Sequence, residues 1–409
     1  MKKKIFLVLS LCFVFFGISC ASNDANQGKK DEIKYVNRDT TSFVANQENV
    51  RFLGRTYFDN DVLWAIYSSS GVEFNVKAKR LDVCFKGDSQ ANLPSPEGQT
   101  GLARVVVFVN GERKLDELIY QSEQNFVVFD GTEEVEGVVQ IIKVSEVANS
   151  VAGIKAISLD EGGKLWPTEQ KELKIEFIGD SITCGYGIDD EDRNHHFSTA
   201  TEDSTKTYAY KTAQALNADY SFVSISGWGV ISGYTSNPAK KSEYQVLPKY
   251  YDKLGFSYGS SFDGNMPQNI QWDFSFEPDI VVINLGTNDD SYCKGDKDKV
   301  AEFTREYKNF ITKIRRYNPD AYILCTLGIM GNSLFPAIQT AVNEFQTETG
   351  DQKVDTLQFA NQNMADGIAA DWHPTEKTNE KAAKLLIEKL REKMPHWFAQ
   401  HKRASRIQK

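Results

Sequence analysis

Residues 178–187 read Ile-Gly-Asp-Ser-Ile-Thr-Cys-Gly-Tyr-Gly, directly after a strand-like apolar stretch at 173–178. The spacing puts Ser181 on a glycine-punctuated turn at a strand end, where a hydroxyl can serve as a nucleophile if a base and an oxyanion hole are supplied. On its own such a serine is equally a helix N-cap. Two distant stretches, Gly286-Thr287-Asn288-Asp289 and Asp371-Trp372-His373-Pro374, offer the missing parts. The chain has 5 histidines. His396 and His401 fall in a polar tail, and His195 and His196 in a charged loop. His373, its backbone restricted by the following proline, is the candidate base. The candidate oxyanion donors are the Asn288 amide and the Gly227 N–H in Ser226-Gly227-Trp228-Gly229; each residue is also an ordinary turn former. Asp180 is read as holding the turn through a hydrogen bond rather than as an acid. Trp228, Trp272 and Trp372 are candidates for a sugar-stacking surface at the site mouth, with core packing as the competing reading. No histidine–carboxylate cluster has convincing metal spacing. The serine turn lacks the second glycine of the α/β-hydrolase elbow, since Thr183 occupies that position. It also lacks the Gly-Lys-Ser/Thr ending of a phosphate loop.

These residues need a frame. Residues 170–400 alternate apolar strands with helical periodicity. Strands are expected at 173–178, 220–225, 279–285, 322–327 and 354–360, and helices at 208–216, 300–317, 334–347 and 379–393. Apolar strands between helices imply a parallel sheet covered on both faces, with its site at the carboxyl ends of the strands. Ser181, Gly227 and Asn288 all fall just past strand ends. Residues 46–162 read differently. Val72, Phe74, Val76 and Ala78 alternate with polar residues, the period of a half-buried strand. Asn110-Gly111 is a type I′ hairpin signal, and Asp130-Gly131 reads as a second turn. Short strands between turn signals suggest a β-sandwich. A boundary is expected around 162–169, near Pro167.

The chain has 409 residues and a net charge of −9. An acidic protein is a poor partner for nucleic acid, because phosphate binding needs a basic surface. Lys2, Lys3 and Lys4 precede an apolar run of about 14 residues, too short to span a bilayer but suited to a signal segment. Small residues then precede Cys20. Residues 1–20 are therefore expected to be a lipoprotein signal peptide with Cys20 as the lipidated residue, so the exported protein is anchored to a membrane only through lipid. An ordinary cleaved signal is the alternative. Residues 21–45 read as a flexible tether. Cys84, Cys184, Cys293 and Cys325 show no metal-ligand spacing; free thiols and a disulfide both stay open.

Gly-Asp-Ser-Ile-Thr, the Gly227 bend, Gly-Thr-Asn-Asp and Asp-Trp-His-Pro together resemble the four sequence blocks of the SGNH (GDSL-type) hydrolases. Gly54-Arg55-Thr56-Tyr57-Phe58, Ser70-Gly71-Val72-Glu73-Phe74 and Val109-Asn110-Gly111-Glu112-Arg113 resemble the N-terminal jelly roll of carbohydrate esterase family 2. The resemblance implies an SGNH-type, flavodoxin-like α/β domain preceded by a jelly-roll β-sandwich. It further implies acetylxylan-esterase-like removal of acetyl groups from plant polysaccharides, with acetylated polysaccharide or oligosaccharide as partner and no cofactor. Ser181 would be nucleophile, His373 base, and the Ser181 N–H, Gly227 N–H and Asn288 the oxyanion donors. One departure matters. The superfamily carries an aspartate three residues before the histidine; that position is Ala370, and Asp371 lies two before. A Ser181–His373 dyad is expected, with a backbone carbonyl or Asp371 orienting His373. Rival readings are another esterase of the superfamily, such as a lysophospholipase or a bacterial-glycan deacetylase, and a non-catalytic glycan-binding lipoprotein.

Overall fold

A computed structural model describes residues 39–91 and 100–395. The signal segment, Cys20, His396, His401 and most of the expected tether lie outside them. The last part of that tether is strand, not linker: Thr40–Phe43 (β1) pairs with Ile157–Asp160, and Ala45 behind it is buried. The β-branched Thr40 and Thr41 suit a sheet edge that would otherwise be left unpaired.

Nine further strands complete the first sheet: β2 (Arg51–Leu53), β3 (Thr56–Asp59), β4 (Val62–Ala65), β5 (Ser70–Gly87), β6 (Ala103–Val109), β7 (Glu112–Ile119), β8 (Glu123–Lys143), β9 (Ala152–Asp160) and β10 (Lys164–Pro167). They form one antiparallel hydrogen-bonded network, joined through the long strands β5 and β8. Along one edge of β5, β2 and β10 pair with its first half and β9 with its second. Both halves line one core. Val72, Phe74 and Val76 point inward, then Leu81, Val83 and Phe85. That change of parity falls at the register shifts between Ala78 and Asp82, as a bulge requires. The expected hairpin is present between β6 and β7, with Asn110 and Gly111 both at positive φ (53° and 80°). The expected turn at Asp130-Gly131 is not. β8 runs through it, because Asp130 sits opposite the β5 irregularity and its carboxylate receives Arg80. The stretch expected to hold the boundary, 162–169, contains the last strand of the first sheet: Lys164–Pro167 pairs on β5, with Pro167 closing the last pair, a position that tolerates the missing N–H.

The second sheet is parallel, in the order β12-β11-β13-β14-β15: β11 (Leu173–Gly179), β12 (Ala218–Ser224), β13 (Ile280–Asn284), β14 (Tyr322–Ile329) and β15 (Val354–Asn361). This is the flavodoxin-like doubly wound order, whose reversal point lies beside β11. Among the described residues six α-helices accompany it: α1 (Ser181–Cys184), α2 (Tyr208–Ala215), α3 (Thr287–Cys293), α4 (Lys297–Tyr317), α5 (Phe335–Thr349) and α6 (Glu376–Lys393). Within β13, Ile280 and Val282 join the core under α2 and α6, while Val281 and Ile283 join the core under α4 and α5. Strict alternation between two apolar cores is what a sheet buried on both faces demands. The first sheet shares both cores, through Trp64, Ile66 and Val147 on one side and Val106, Ile142 and Val144 on the other. Arg51 on β2 ties the two sheets with buried ion pairs to Glu73 and, across the junction, to Asp219 on β12.

Candidate active site

Ser181 is the first residue of α1, two residues past β11. Asp180, fully buried, caps that short helix: its carboxylate accepts from the Ile182 N–H at 3.1 Å, and its carbonyl from Thr183 and Cys184. The serine is thus the residue after the cap rather than the cap itself. Gly179 has no alternative here, since a Cβ on it would lie 2.1 Å from Thr183 Oγ1, which is bonded to the Tyr208 hydroxyl.

His373 Nε2 lies 2.9 Å from Ser181 Oγ across 192 residues of sequence. Its other ring nitrogen faces two main-chain carbonyls, Asp371 O at 3.1 Å and Ala370 O at 3.2 Å. An Nδ1–H donated there leaves Nε2 free to accept the serine proton, so the carbonyls select the tautomer. The loop reaches this shape through consecutive left-handed residues, Asp371 (φ 48°) and Trp372 (φ 65°). Non-glycine residues seldom adopt that conformation, and such strain collects at functional sites. Ala370 is fully buried, and a Cβ on Gly187 would come within 2.8 Å of its methyl. The position where the superfamily carries an acid therefore faces a close-packed glycine.

Of the two expected ways of orienting the base, the one through the Asp371 side chain is corrected. Its carboxylate turns away to the Tyr186 hydroxyl (2.6 Å), the Phe197 N–H (3.0 Å) and His196 Nδ1 (2.9 Å). Tyr186 in turn stacks on the imidazole, with ring centroids 4.0 Å apart and planes inclined by 23°. Burial pushes His373 down to about 4, against the smaller opposing pull of its carbonyl partners. The imidazole is neutral at neutral pH, the form a general base requires.

Gly227 lies three residues past β12, at φ 78°. Neither its N–H nor that of Ser181 is committed to a hydrogen bond among the described residues. Asn288 is in the first turn of α3 rather than in a free turn. Its Nδ2 donates to the Trp228 carbonyl at 2.8 Å and, more weakly, to Asp180 Oδ2 at 3.3 Å. It thereby joins the serine turn to the Gly227 turn. Asp289 beside it accepts the N–H groups of Val230, Ile231 and Ser232, fixing the chain that follows. Burial raises Asp180 to about 7 and Asp289 to about 6.

Of the three tryptophans, only Trp372 is exposed beside the site, 52% accessible, with the Arg193 guanidinium over its ring at 4.5 Å. Trp228 is fully buried, its Nε1–H bonded to Tyr258, and serves the core under the Gly227 turn. Trp272 lies at the opposite end of the sheet. It lines a cavity of about 730 Å³ with Lys174 and Asp219, near the strand starts, and the buried Arg55 guanidinium covers its ring. The aromatic side chains exposed around the Gly227 turn are tyrosines: Tyr234, whose N–H bonds Gly227 O, and Tyr258, bonded to Gln245.

Among the described residues, one group of potential metal ligands stands close together: buried Glu146, Cys184 and Glu202, with ligand atoms within 4.8 Å of one another. Three of the four carboxylate oxygens already accept hydrogen bonds, from Ser226, Asn149 and the Glu146 N–H. All four cysteines among the described residues carry free thiols.

Residues 177–381 match the GDSL-like lipase/acylhydrolase family, and residues 52–168 match the N-terminal domain of carbohydrate esterase family 2. The chain is 35% identical over 266 residues to the cellulase/esterase CelE of Acetivibrio thermocellus, covering 63% of this chain but only 30% of that longer protein. It is 25% identical over 361 residues to an acetylxylan esterase / glucomannan deacetylase of Cellvibrio japonicus, covering 87% and 92% of the two chains. Among solved structures, a family two carbohydrate esterase from Clostridium thermocellum in complex with cellohexaose superposes with a TM-score of 0.71 at 29% identity, over 85% of this chain and 99% of that one. An acetyl xylan esterase from the rumen bacterium Butyrivibrio proteoclasticus shares the fold, with a TM-score of 0.78 at 24% identity over 88% and 99%.

Proposed function

Because the chain belongs to the GDSL-like lipase/acylhydrolase family, we propose that it is a carbohydrate O-deacetylase that removes acetyl groups from plant polysaccharides through a Ser181–His373 dyad. The observation that carries the chemistry is the 2.9 Å contact between Ser181 Oγ and a His373 held neutral by burial. The substrate class is supported by the family 2 esterase match over residues 52–168 and by the acetylxylan- and glucomannan-deacetylating relatives.

His373 Nε2 takes the hydroxyl proton as Ser181 Oγ attacks the acetyl carbonyl carbon. The resulting oxyanion is received by the Ser181 and Gly227 N–H groups and by the Asn288 amide proton now spent on the long contact to Asp180. Loss of one such donor costs roughly 10²–10³ in kcat. The C–O bond to the sugar then breaks, and the sugar oxygen leaves with the proton from His373. Water, deprotonated by His373, attacks the acetyl-Ser181 carbonyl. Acetate departs and Ser181 regains its proton. Trp372 offers an aromatic face for a sugar ring at the mouth. The protein acts outside the cytoplasm, anchored through a lipid on Cys20; metabolic labelling with a fatty acid, lost in Cys20→Ala, tests the anchor. No helix among the described residues is long and apolar enough to cross a membrane.

The decisive experiment is acetate release from a panel of acetylated polysaccharides, including xylan and glucomannan, by the wild type and Ser181→Ala. Release by the wild type alone is expected. Release from neither polymer, alongside turnover of longer acyl esters, overturns the substrate assignment. Equal release by both proteins overturns the nucleophile.

A further inference from the structure

The Gly227 turn is held by several contacts from its own α/β domain: the Asn288 and Asp289 side chains, the buried Trp228 indole and the Tyr234 N–H. One contact comes from outside it. Glu146, three residues past β8 and 3% exposed, accepts the Ser226 N–H on Oε2 at 2.7 Å. Ser226 immediately precedes Gly227. The same Oε2 receives the Cys184 thiol at 3.8 Å, and Cys184 ends the four-residue helix that Ser181 begins. One carboxyl oxygen thus touches both the turn carrying the Gly227 N–H and the helix carrying the Ser181 N–H.

Glu146 is itself tightly held. Asn149 Nδ2 donates to its Oε1 at 3.0 Å, and its own N–H donates to Glu202 Oε2 at 2.9 Å. Lys143, buried on the end of β8, donates to the Ile66 and Ser145 carbonyls. Burial raises both glutamates and lowers Lys143 to about 8, the responses of charges kept from water. Burying such a group is costly unless its bonds are satisfied. The two bonds to its Oε2 fall on the two segments that present the oxyanion donors.

We propose that Glu146 is a positioning residue of the oxyanion hole, supplied by the antiparallel sheet, which sets the spacing between the Gly227 and Ser181 N–H groups. This rests on the dyad mechanism above, not on the polysaccharide assignment. An oxyanion hole acts on charge that develops in the transition state, so its misplacement lowers kcat and leaves KM nearly unmoved.

The test is steady-state hydrolysis of p-nitrophenyl acetate by the full chain. Competent sites are counted by stoichiometric labelling of Ser181 with a fluorophosphonate, run to completion. Glu146→Ala is expected to lower kcat per competent site by about 10²-fold, with KM within about 3-fold. Glu146→Gln, whose amide oxygen can still accept the Ser226 N–H, is expected to recover most of that loss. Glu146→Asp, shorter by one methylene, is expected to fall at least about 10-fold and carries the test if the alanine variant does not fold. A kcat per competent site within 2-fold of wild type in either the alanine or the aspartate variant overturns the proposal. So does a glutamine variant as impaired as the alanine one, or a loss confined to KM. A wild type that cleaves p-nitrophenyl acetate but releases no polysaccharide acetate sinks the substrate assignment and leaves this result standing.

Discussion

The phenol ring of Tyr186 lies against the imidazole of His373, 4.0 Å between centroids, while its hydroxyl is bonded at 2.6 Å to the Asp371 carboxylate. The acid nearest the base in sequence therefore acts on it at one remove, through an aromatic ring. Asp371→Asn keeps an oxygen for the Tyr186 hydroxyl and leaves both carbonyls on Nδ1, so a loss of kcat below about 10-fold is expected. A triad aspartate would cost about 10⁴. Tyr186→Ala, which removes the stacked ring, is expected to cost more than Asp371→Asn. Single-turnover kinetics on p-nitrophenyl acetate compare the two, and a 10⁴-fold fall in Asp371→Asn would reinstate the triad.

The pH profile follows from the neutral His373. The base works only unprotonated, and burial pushes it to about 4. kcat/KM is therefore expected to stay level from neutrality down to about pH 5 and then to fall with a midpoint near 4. An acid limb centred near the ordinary histidine value of about 6.5 would contradict this. Stability carries the same sign for this group: the depressed folded value favours the fold above pH 6.5 and is lost as pH falls toward 4. Asp180 and Asp289, raised to about 7 and 6, run the other way and lose stability as pH rises through those values. The activity profile, rather than the melting profile, isolates His373.

The tryptophans should separate by assay. Trp372→Ala is expected to raise KM on acetylated polysaccharide while leaving p-nitrophenyl acetate turnover within about 2-fold, since the small ester carries no sugar ring for the exposed indole to stack on. Trp228→Ala should instead destabilise by about 3–5 kcal/mol, the cost of emptying a large core site, read by denaturant unfolding. A Trp228→Ala protein of wild-type stability would remove that indole from the core.

Arg51 offers a test of the junction between the sheets. Arg51→Ala leaves Glu73 and Asp219 with no counter-charge from that guanidinium in a buried setting. Breaking such a network by removing one partner costs about 3–5 kcal/mol. The unfolding transition is expected to move to lower denaturant with kcat per folded molecule unchanged. A wild-type midpoint would mean that the other ties between the sheets, such as the buried Arg55–Glu176 pair, hold the junction without Arg51.

Much of the frame could be read from local pattern. Apolar runs of strand length alternating with helical spacing identified the parallel sheet, because a strand buried on both faces cannot be polar on either. Ser181, Gly227 and Asn288 fall past strand ends in that reading, and in the structure Asn288 joins the other two turns, through Asp180 and the Trp228 carbonyl. The errors have a common origin. Asp130-Gly131 is a turn by composition, yet a long strand absorbs it where its neighbour bulges. Thr40–Phe43 reads as the end of a tether, yet it pairs with β9 at the sheet edge. Trp228, Trp272 and Trp372 are the same residue type in polar-looking loops, and nothing local distinguishes a ring in the core from one in solvent.

By itself, then, the sequence determined which residue types sit at the strand ends and that a histidine braced by proline follows far downstream. It also determined that no acid stands three residues before that histidine. Only the tertiary structure decided what orients the base in that acid's place: two main-chain carbonyls, aimed by left-handed backbone at Asp371 and Trp372 that no side-chain pattern encodes. It also decided the place of Glu146, whose bond to the Ser226 N–H spans 80 residues and two sheets. Periodicity reports how a segment meets its immediate surroundings, whereas such contacts depend on how separate segments are brought together.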